Sequence, residues 1–168
     1  ERRAIDEIFR KDQSDRELRM ILSLKDERIN EYMHPKIKAQ DCISFGLYLV
    51  GQGYHELKLP LDGLNGRPTL ARLKEGRTHH VVATYDVVTG LKAIYIDGEK
   101  LASYQYPAGS KMLSGGPGSA MIGNTPREKL WHQEAFSGEI DEVAFYDFAL
   151  TAYMINLHIN NNKQGFNY

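Results

Sequence analysis

This sequence predicts an all-β fold, an antiparallel two-sheet sandwich or jelly roll with one short helix near its end. Two alternating runs and an Asp97-Gly98 turn spell a three-stranded meander over 79–104. Short apolar or alternating runs recur along the rest of the chain at regular spacing, between turns rich in glycine. A helix signature with its own cap stands at 150–158.

Taken in order, the first dozen residues fit two templates. Ile5, Ile8 and Phe9 suit a helix face, while Ile5 and Phe9 with Glu7 between them suit a strand. RMILSL (19–24), ISFGLYLVG (43–51) and HELKLPL (55–61) each alternate or run apolar between turn residues and read as strands. In the meander, His79, Val81, Ala83 and Tyr85 fall on one face, opposite His80, Val82 and Thr84. DVVTG turns the chain at Gly90, and Leu91, Ala93 and Tyr95 then alternate with Lys92, Ile94 and Ile96. Asp97-Gly98 is the strongest short-range hairpin signal, a turn needing two positive-φ residues. AMIGN (120–124) follows the breaker SGGPGS, and EIDEVAFYD (139–147), after Gly138, also reads as a strand. Thr151 caps a helix over AYMINLHI, with Leu150 and Ile155 placed as a hydrophobic staple. Without repeats, low-complexity tracts or a long interior linker, residues 1–168 make one domain.

The composition narrows the function. The 21 basic and 22 acidic residues balance to a net charge of −1, which leaves no electrostatic footprint for nucleic acid or an anionic membrane. The local pair Arg2-Arg3 reads as a solvated end. Cys42 is the single cysteine, so no intrachain disulfide forms, and its place before a strand reads as a small buried residue. No apolar run approaches the ~20 residues that cross a bilayer, so no membrane insertion is expected. The first residue is Glu and no signal peptide precedes it, which reads as a processed form or a fragment of a longer protein.

Two separated motifs carry a family resemblance. EGRTHHVVATYDVVTGLKAIYIDGEKL resembles the central hairpin of laminin-G-like jelly rolls in the concanavalin A-like lectin/glucanase superfamily, and GEIDEVAFYDFALTAYMI resembles their closing strand and short helix. The likeness spans roughly residues 4 to 158 and is weak before 75. Thr78 stands where the family usually has Trp, Met154 stands where a helix-capping Glu is common, and the family's opening strand has no evident counterpart. The resemblance implies a two-sheet sandwich that binds glycans or proteins, often with calcium, outside the cytoplasm: extracellular, on the cell surface or periplasmic.

Glycosidases of this superfamily carry three acids on one strand, Glu-x-Asp-x-Glu or a form with one more spacer. Here Glu139 and Asp141 share a face on a strand, but Val143 or Ala144 stands where the third acid belongs, and Glu142 points away. A catalytic site is therefore not expected. His79 and His80 are adjacent and point to opposite faces on a strand, so they cannot share a metal. Neither Gly-x-Ser-x-Gly nor a Cys-His signature is present. Trp131, His132 and Gln133, in the polar stretch TPREKLWHQEAF, offer an aromatic face and polar groups for a sugar, against the alternative of a Trp folded over the sandwich rim. Asp62 and Asn65 in DGLNGRP either supply oxygen ligands, to calcium for example, or form a turn. Tyr104 and Tyr106 share a face and line either the core or a groove. The expected function is non-catalytic recognition, carbohydrate binding first. A protein-interaction or structural domain without a small ligand is the alternative, and a glycoside hydrolase ranks below both.

Overall fold

A computed structural model describes residues 5–12, 18–25, 41–113, 116–124 and 134–163. Its strands are β1 (Ile5–Asp12), β2 (Leu18–Lys25), β3 (Cys42–Leu49), β4 (Gly53–Pro60), β5 (Val81–Asp86), β6 (Leu91–Ile96), β7 (Glu99–Gln105) and β8 (Ala120–Ile122). The helices are α1 (Leu70–Leu73) and α2 (Ala152–Lys163). Two antiparallel sheets form, β4-β3-β2-β1-β8 and β5-β6-β7. This is the expected two-sheet sandwich with a short C-terminal helix.

Of the first dozen residues, the described 5–12 take the strand template. β1 pairs with β2, and the register shifts between Glu7 and Phe9 and again between Lys11 and Asp12. Each shift lets two residues oppose one and resets which face the next side chain meets. The meander forms as read, with Asp97 at φ 51° and Gly98 at φ 89° in the turn. Thr151 Oγ1 accepts from Met154 N at 3.3 Å, a cap worth about 1 kcal/mol. Leu150 and Ile155 are both buried with Ala93 and Tyr95, so the staple seats α2 on the outer face of the second sheet. The four-residue α1 was not anticipated, and Thr69 Oγ1 caps it by accepting from Arg72 N at 3.2 Å.

Between the sheets lies the core. Ile43, Phe45, Leu47 and Leu49 of β3 and Leu57 and Leu59 of β4 meet Ile94 and Ile96 of β6. The period of two that buries these residues sends their neighbours to the opposite face. Yet β3 is buried on both faces, since Cys42, Ser44 and Gly46 are buried as well. The outer face of the first sheet is therefore covered, and it is polar.

One expected strand is absent. EIDEVAFYD forms no ladder, and residues 141–148 are exposed. Glu142 sits at φ 50°, and its N–H donates to Asp141 Oδ1 at 2.9 Å. That local bond competes with sheet pairing, and a positive φ at a non-glycine residue ends the alternation on which a strand depends. Glu139 and Asp141 are consequently not neighbours on a strand face.

Candidate functional site

The outer face of the first sheet carries a buried charged network that the alternation alone did not reveal. Cross-strand register places Glu7, Ser23 and Ser44 in one row, and Arg10, Ile21, Gly46 and Glu56 in the next. Gly46 is required there, because a Cβ would lie 2.0 Å from Tyr54 Oη and 2.7 Å from Ile21 Cγ2. The tyrosine hydroxyl thus reaches over the strand to Glu56 Oε1, 3.0 Å away. Lys25 Nζ donates to the same oxygen at 2.6 Å. Burial pushes the Glu56 carboxyl up, but the charge of Lys25 and hydrogen bonds from Lys25 and Tyr54 outweigh it and hold the group below its usual range. Burial raises the Tyr54 phenol, and the Glu56 charge adds to the effect.

Arg10 joins the other half of the network. Its guanidinium donates to Glu7 Oε1 at 2.7 Å and to Asp12 Oδ1 at 3.0 Å, and the Glu134 carboxylate lies 3.7 Å away. All three β1 residues are buried, with Glu7 at 0% exposure. The opposite oxygen, Glu7 Oε2, has no N–H donor, and the Glu134 carboxyl hydrogen-bonds to Glu7. Two carboxyl groups bond to each other only when one carries a proton. Burial, then the hydrogen bond to Glu7 and its charge, raise Glu134 to about 8, so Glu134 holds that proton at neutral pH. The segment beginning at Glu134 is fixed to β1 by the backbone as well. Glu7 N donates to Glu134 O at 2.9 Å, and Glu7 bridges Ala135 in parallel.

The register shift after Glu7 explains why this cluster escaped the sequence. Positions 7, 10 and 12 do not fit a period of two, and only the shift brings them to one face. Glu134 lies 127 residues from Glu7, a pairing that no local pattern announces. The usable signal was in YHELKLP, where alternation sets Tyr54 and Glu56 against Leu57 and Leu59.

Of the expected contact residues, Trp131, His132 and Gln133 lie outside the described residues. Asp62 and Asn65 stand apart from the network and form a turn. Arg67 grips Asp62 through two bonds, Nε to Oδ1 at 2.9 Å and Nη2 to Oδ2 at 2.8 Å. Leu64 N adds a third at 3.0 Å, and Asn65 takes φ 50°. The Arg67 hydrogen bonds, with that of Leu64, bring the Asp62 carboxyl down to about 2. Asp86 is likewise committed to its own turn, accepting from Val88 N at 2.9 Å and Thr89 Oγ1 at 2.7 Å. Both carboxylates thus spend hydrogen-bonding capacity on donors of their own turns. Among the described residues no group of three or more His, Cys, Asp or Glu side chains could hold a metal ion. Asp26 lies outside the described residues.

The remaining candidates settle as packing or polar structure. His79 Nδ1 lies 2.8 Å from Asp97 Oδ2. His80 meets the His158 ring edge-on at 6.1 Å, and burial, then the charge of His158, lower its pKa. Tyr106 is core at 5% exposure and Tyr104 is exposed at 55%, with their rings 4.7 Å apart. Cys42 is buried, which pushes its thiol up.

A family model described as the concanavalin A-like lectin/glucanases superfamily matches residues 24–156. No curated protein matches the chain. A crystal structure of an S-layer domain-containing protein (residues 221–444) from Clostridium thermocellum is similar at 19% identity, over 83% of this chain and 55% of that one. The chain thus spans about half the length of that solved domain, with a TM-score of 0.38, too low to bear on fold or function. With the family model spanning most of the chain and the two-sheet sandwich in place, the chain belongs to the concanavalin A-like lectin/glucanase superfamily.

Proposed function

We propose that this chain is a non-catalytic carbohydrate-recognition module of an exported or surface protein, with the loop Trp131-His132-Gln133 as its contact. The observation that carries the reading is the anchoring of Glu134. The residue that follows this loop is tied by backbone and side chain to the charged network on the outer face of the first sheet. Fixing the residue next in sequence to a contact lowers the ordering cost of binding. An aromatic ring beside amide, imidazole and carboxyl groups matches a sugar, which shows both apolar C–H faces and hydroxyls.

Binding without hydrolysis follows from how the carboxyls are used. A retaining glycosidase holds its two carboxyl groups about 5–5.5 Å apart around the scissile bond, and an inverting one about 6.5–9.5 Å. Glu134 hydrogen-bonds to Glu7, and Arg10 donates to Glu7 Oε1, so both carboxyls are engaged within the network.

On a glycan array the 168-residue chain is expected to bind a defined set of glycans. Trp131→Ala should lose at least about tenfold in affinity, the effect of removing an aromatic platform worth 1.4 kcal/mol or more, with an unchanged melting temperature. Equal binding by the variant would remove the loop from the account. The module is also proposed to work without calcium, since the described loop acids are held by N–H and O–H donors. Thermal unfolding in millimolar calcium and in excess chelator should give the same Tm, whereas saturating a folded-state site at one hundred times its Kd would add about 2.7 kcal/mol.

A further inference from the structure

The two sheets of the sandwich are unequal in width. Five strands face three, and the second sheet packs on the first chiefly through β4 against β6 and β7. Among the described residues, the far side of the first sheet, at β1 and β8, therefore has no opposing strand. Its inward side chains include Phe9 and its register partner Ile122, which is 48% exposed. β5 is the edge of the second sheet nearest to filling that place, and among the described residues its one ladder partner is β6.

Residues 139–148 run through this gap without closing it. Phe145 packs on Phe9 with ring centroids 4.7 Å apart. Tyr146 stacks on His158 of α2 at 5.8 Å, and His158 in turn meets His80 just before β5. The segment therefore spans from the first sheet to the margin of the second. Even so, Val143 is 43% exposed, Phe145 61%, Tyr146 46% and Phe148 53%, with Tyr153 and Leu157 of α2 exposed beside them. Among the described residues, 139–147 exchange no backbone–backbone hydrogen bond. Backbone without a ladder on either side of the positive-φ Glu142, bearing large apolar side chains, has the features of a strand-accepting edge.

The charge on this strip is one-sided. Glu139, Asp141, Glu142 and Asp147 are all exposed, and no Lys or Arg occurs from Glu134 to Asn162. A chain whose overall net charge is −1 thus concentrates negative charge beside its exposed apolar strip. Surfaces of this kind choose their partners by opposite charge and repel like-charged ones.

We propose that the 139–148 strip, with Tyr153 and Leu157 beside it, is a docking edge for an extended segment of a partner protein that alternates apolar residues with Lys or Arg. The apolar side chains of that segment enter the gap toward Phe9 and Ile122, while its basic side chains meet the four exposed acids. Its backbone pairs with the ladder-free backbone of 139–147 on either side of Glu142. The proposal does not depend on glycan binding.

The test is a selection of displayed random 12-residue peptides against the 168-residue chain, with hydrogen exchange on the complex of an enriched peptide. The expected peptides alternate apolar residues with Lys or Arg. Their binding slows exchange of the 139–147 amides, which exchange fast in the free chain, and it weakens about tenfold or more as salt is raised. Phe145→Ser should abolish enrichment of those sequences. Because Phe145 also touches Phe9, the double change Glu139→Lys with Glu142→Lys, at exposed positions, gives a second test and should shift selection toward acidic peptides. Selection without that pattern, or binding unchanged in both variants, would overturn the proposal. So would 139–147 amides already protected in the free chain. A concentration-dependent dimer dissolved by Phe145→Ser would assign the strip to a second copy instead.

Discussion

Replacing Arg10 by Met is expected to destabilise the fold by about 3–5 kcal/mol, the usual cost of removing one partner from a buried ion pair. Three carboxyl groups face that guanidinium. Glu7 and Asp12 bond it directly, and Glu134 lies within ion-pair reach. With the cation gone, the buried carboxylates have no charge to offset their desolvation. For a domain of this length the loss corresponds to a fall in Tm of roughly 10 °C or more. The pH dependence separates this cause from lost packing. Part of the loss should be recovered as pH falls, because protonation removes the negative charge left buried, whereas a pure packing defect would stay constant. A variant as stable as the parent at pH 7 would mean that the network contributes nothing net.

Lys92→Met should act in the opposite direction. Lys92 is fully buried, its ammonium donating to His55 O at 2.9 Å and lying 4.8 Å from the centre of the Phe45 ring. Burial lowers its pKa from 10.5 to about 7, and the Glu56 charge offsets little of that. The unfolded chain holds this proton up to about pH 10.5 and the folded one only to about 7. Stability associated with this group is therefore fully present above 10.5 and is lost as pH falls to 7. A methionine of similar length carries no such penalty. At pH 7 the variant should gain about 2–3 kcal/mol, the 1.36 kcal/mol per pKa unit being reduced by loss of the carbonyl bond and the cation–π contact. At pH 10.5 the two proteins should melt together.

Glu134 imposes the reverse slope. Its pKa is raised from 4.5 to about 8 in the folded state, so its contribution is fully present below 4.5 and is lost as pH climbs through 8. In the parent chain the two opposing slopes place a minimum of stability near pH 7–8. Lys92→Met should remove the rise above it, and Glu134→Gln the decline below it.

These two groups also mark where the sequence was legible and where it was not. The meander was readable because both its signals are local: alternation in VVATYD and LKAIYI, and the positive-φ turn at Asp97-Gly98. The helix at Thr151 was readable for the same reason, with a cap and a staple that lie within six residues of each other. Lys92 sat on the inward face by its alternation with Ile94 and Ile96, but the sequence does not say that its ammonium fails to reach water. The Glu7–Arg10–Asp12 cluster depended on a register shift and the Glu134 contact on tertiary assembly, both outside what periodicity encodes. EIDEVAFYD misled in the opposite sense. Its alternation is locally sound, but with no partner strand alongside, Asp141 capping Glu142 prevails over extension. Pattern reading assigns a strand its faces and cannot supply its neighbour.

The measurement that tests the central claim most directly is product analysis on a glycan that the chain binds. The bound glycan is incubated with the chain for hours, and released reducing ends are counted beside a matched binding isotherm. The account predicts saturable binding with no release of sugar above the rate without protein. Release that tracks the binding isotherm and disappears in Glu134→Gln or Glu7→Gln would contradict it, and would make the hydrogen-bonded pair a catalytic one.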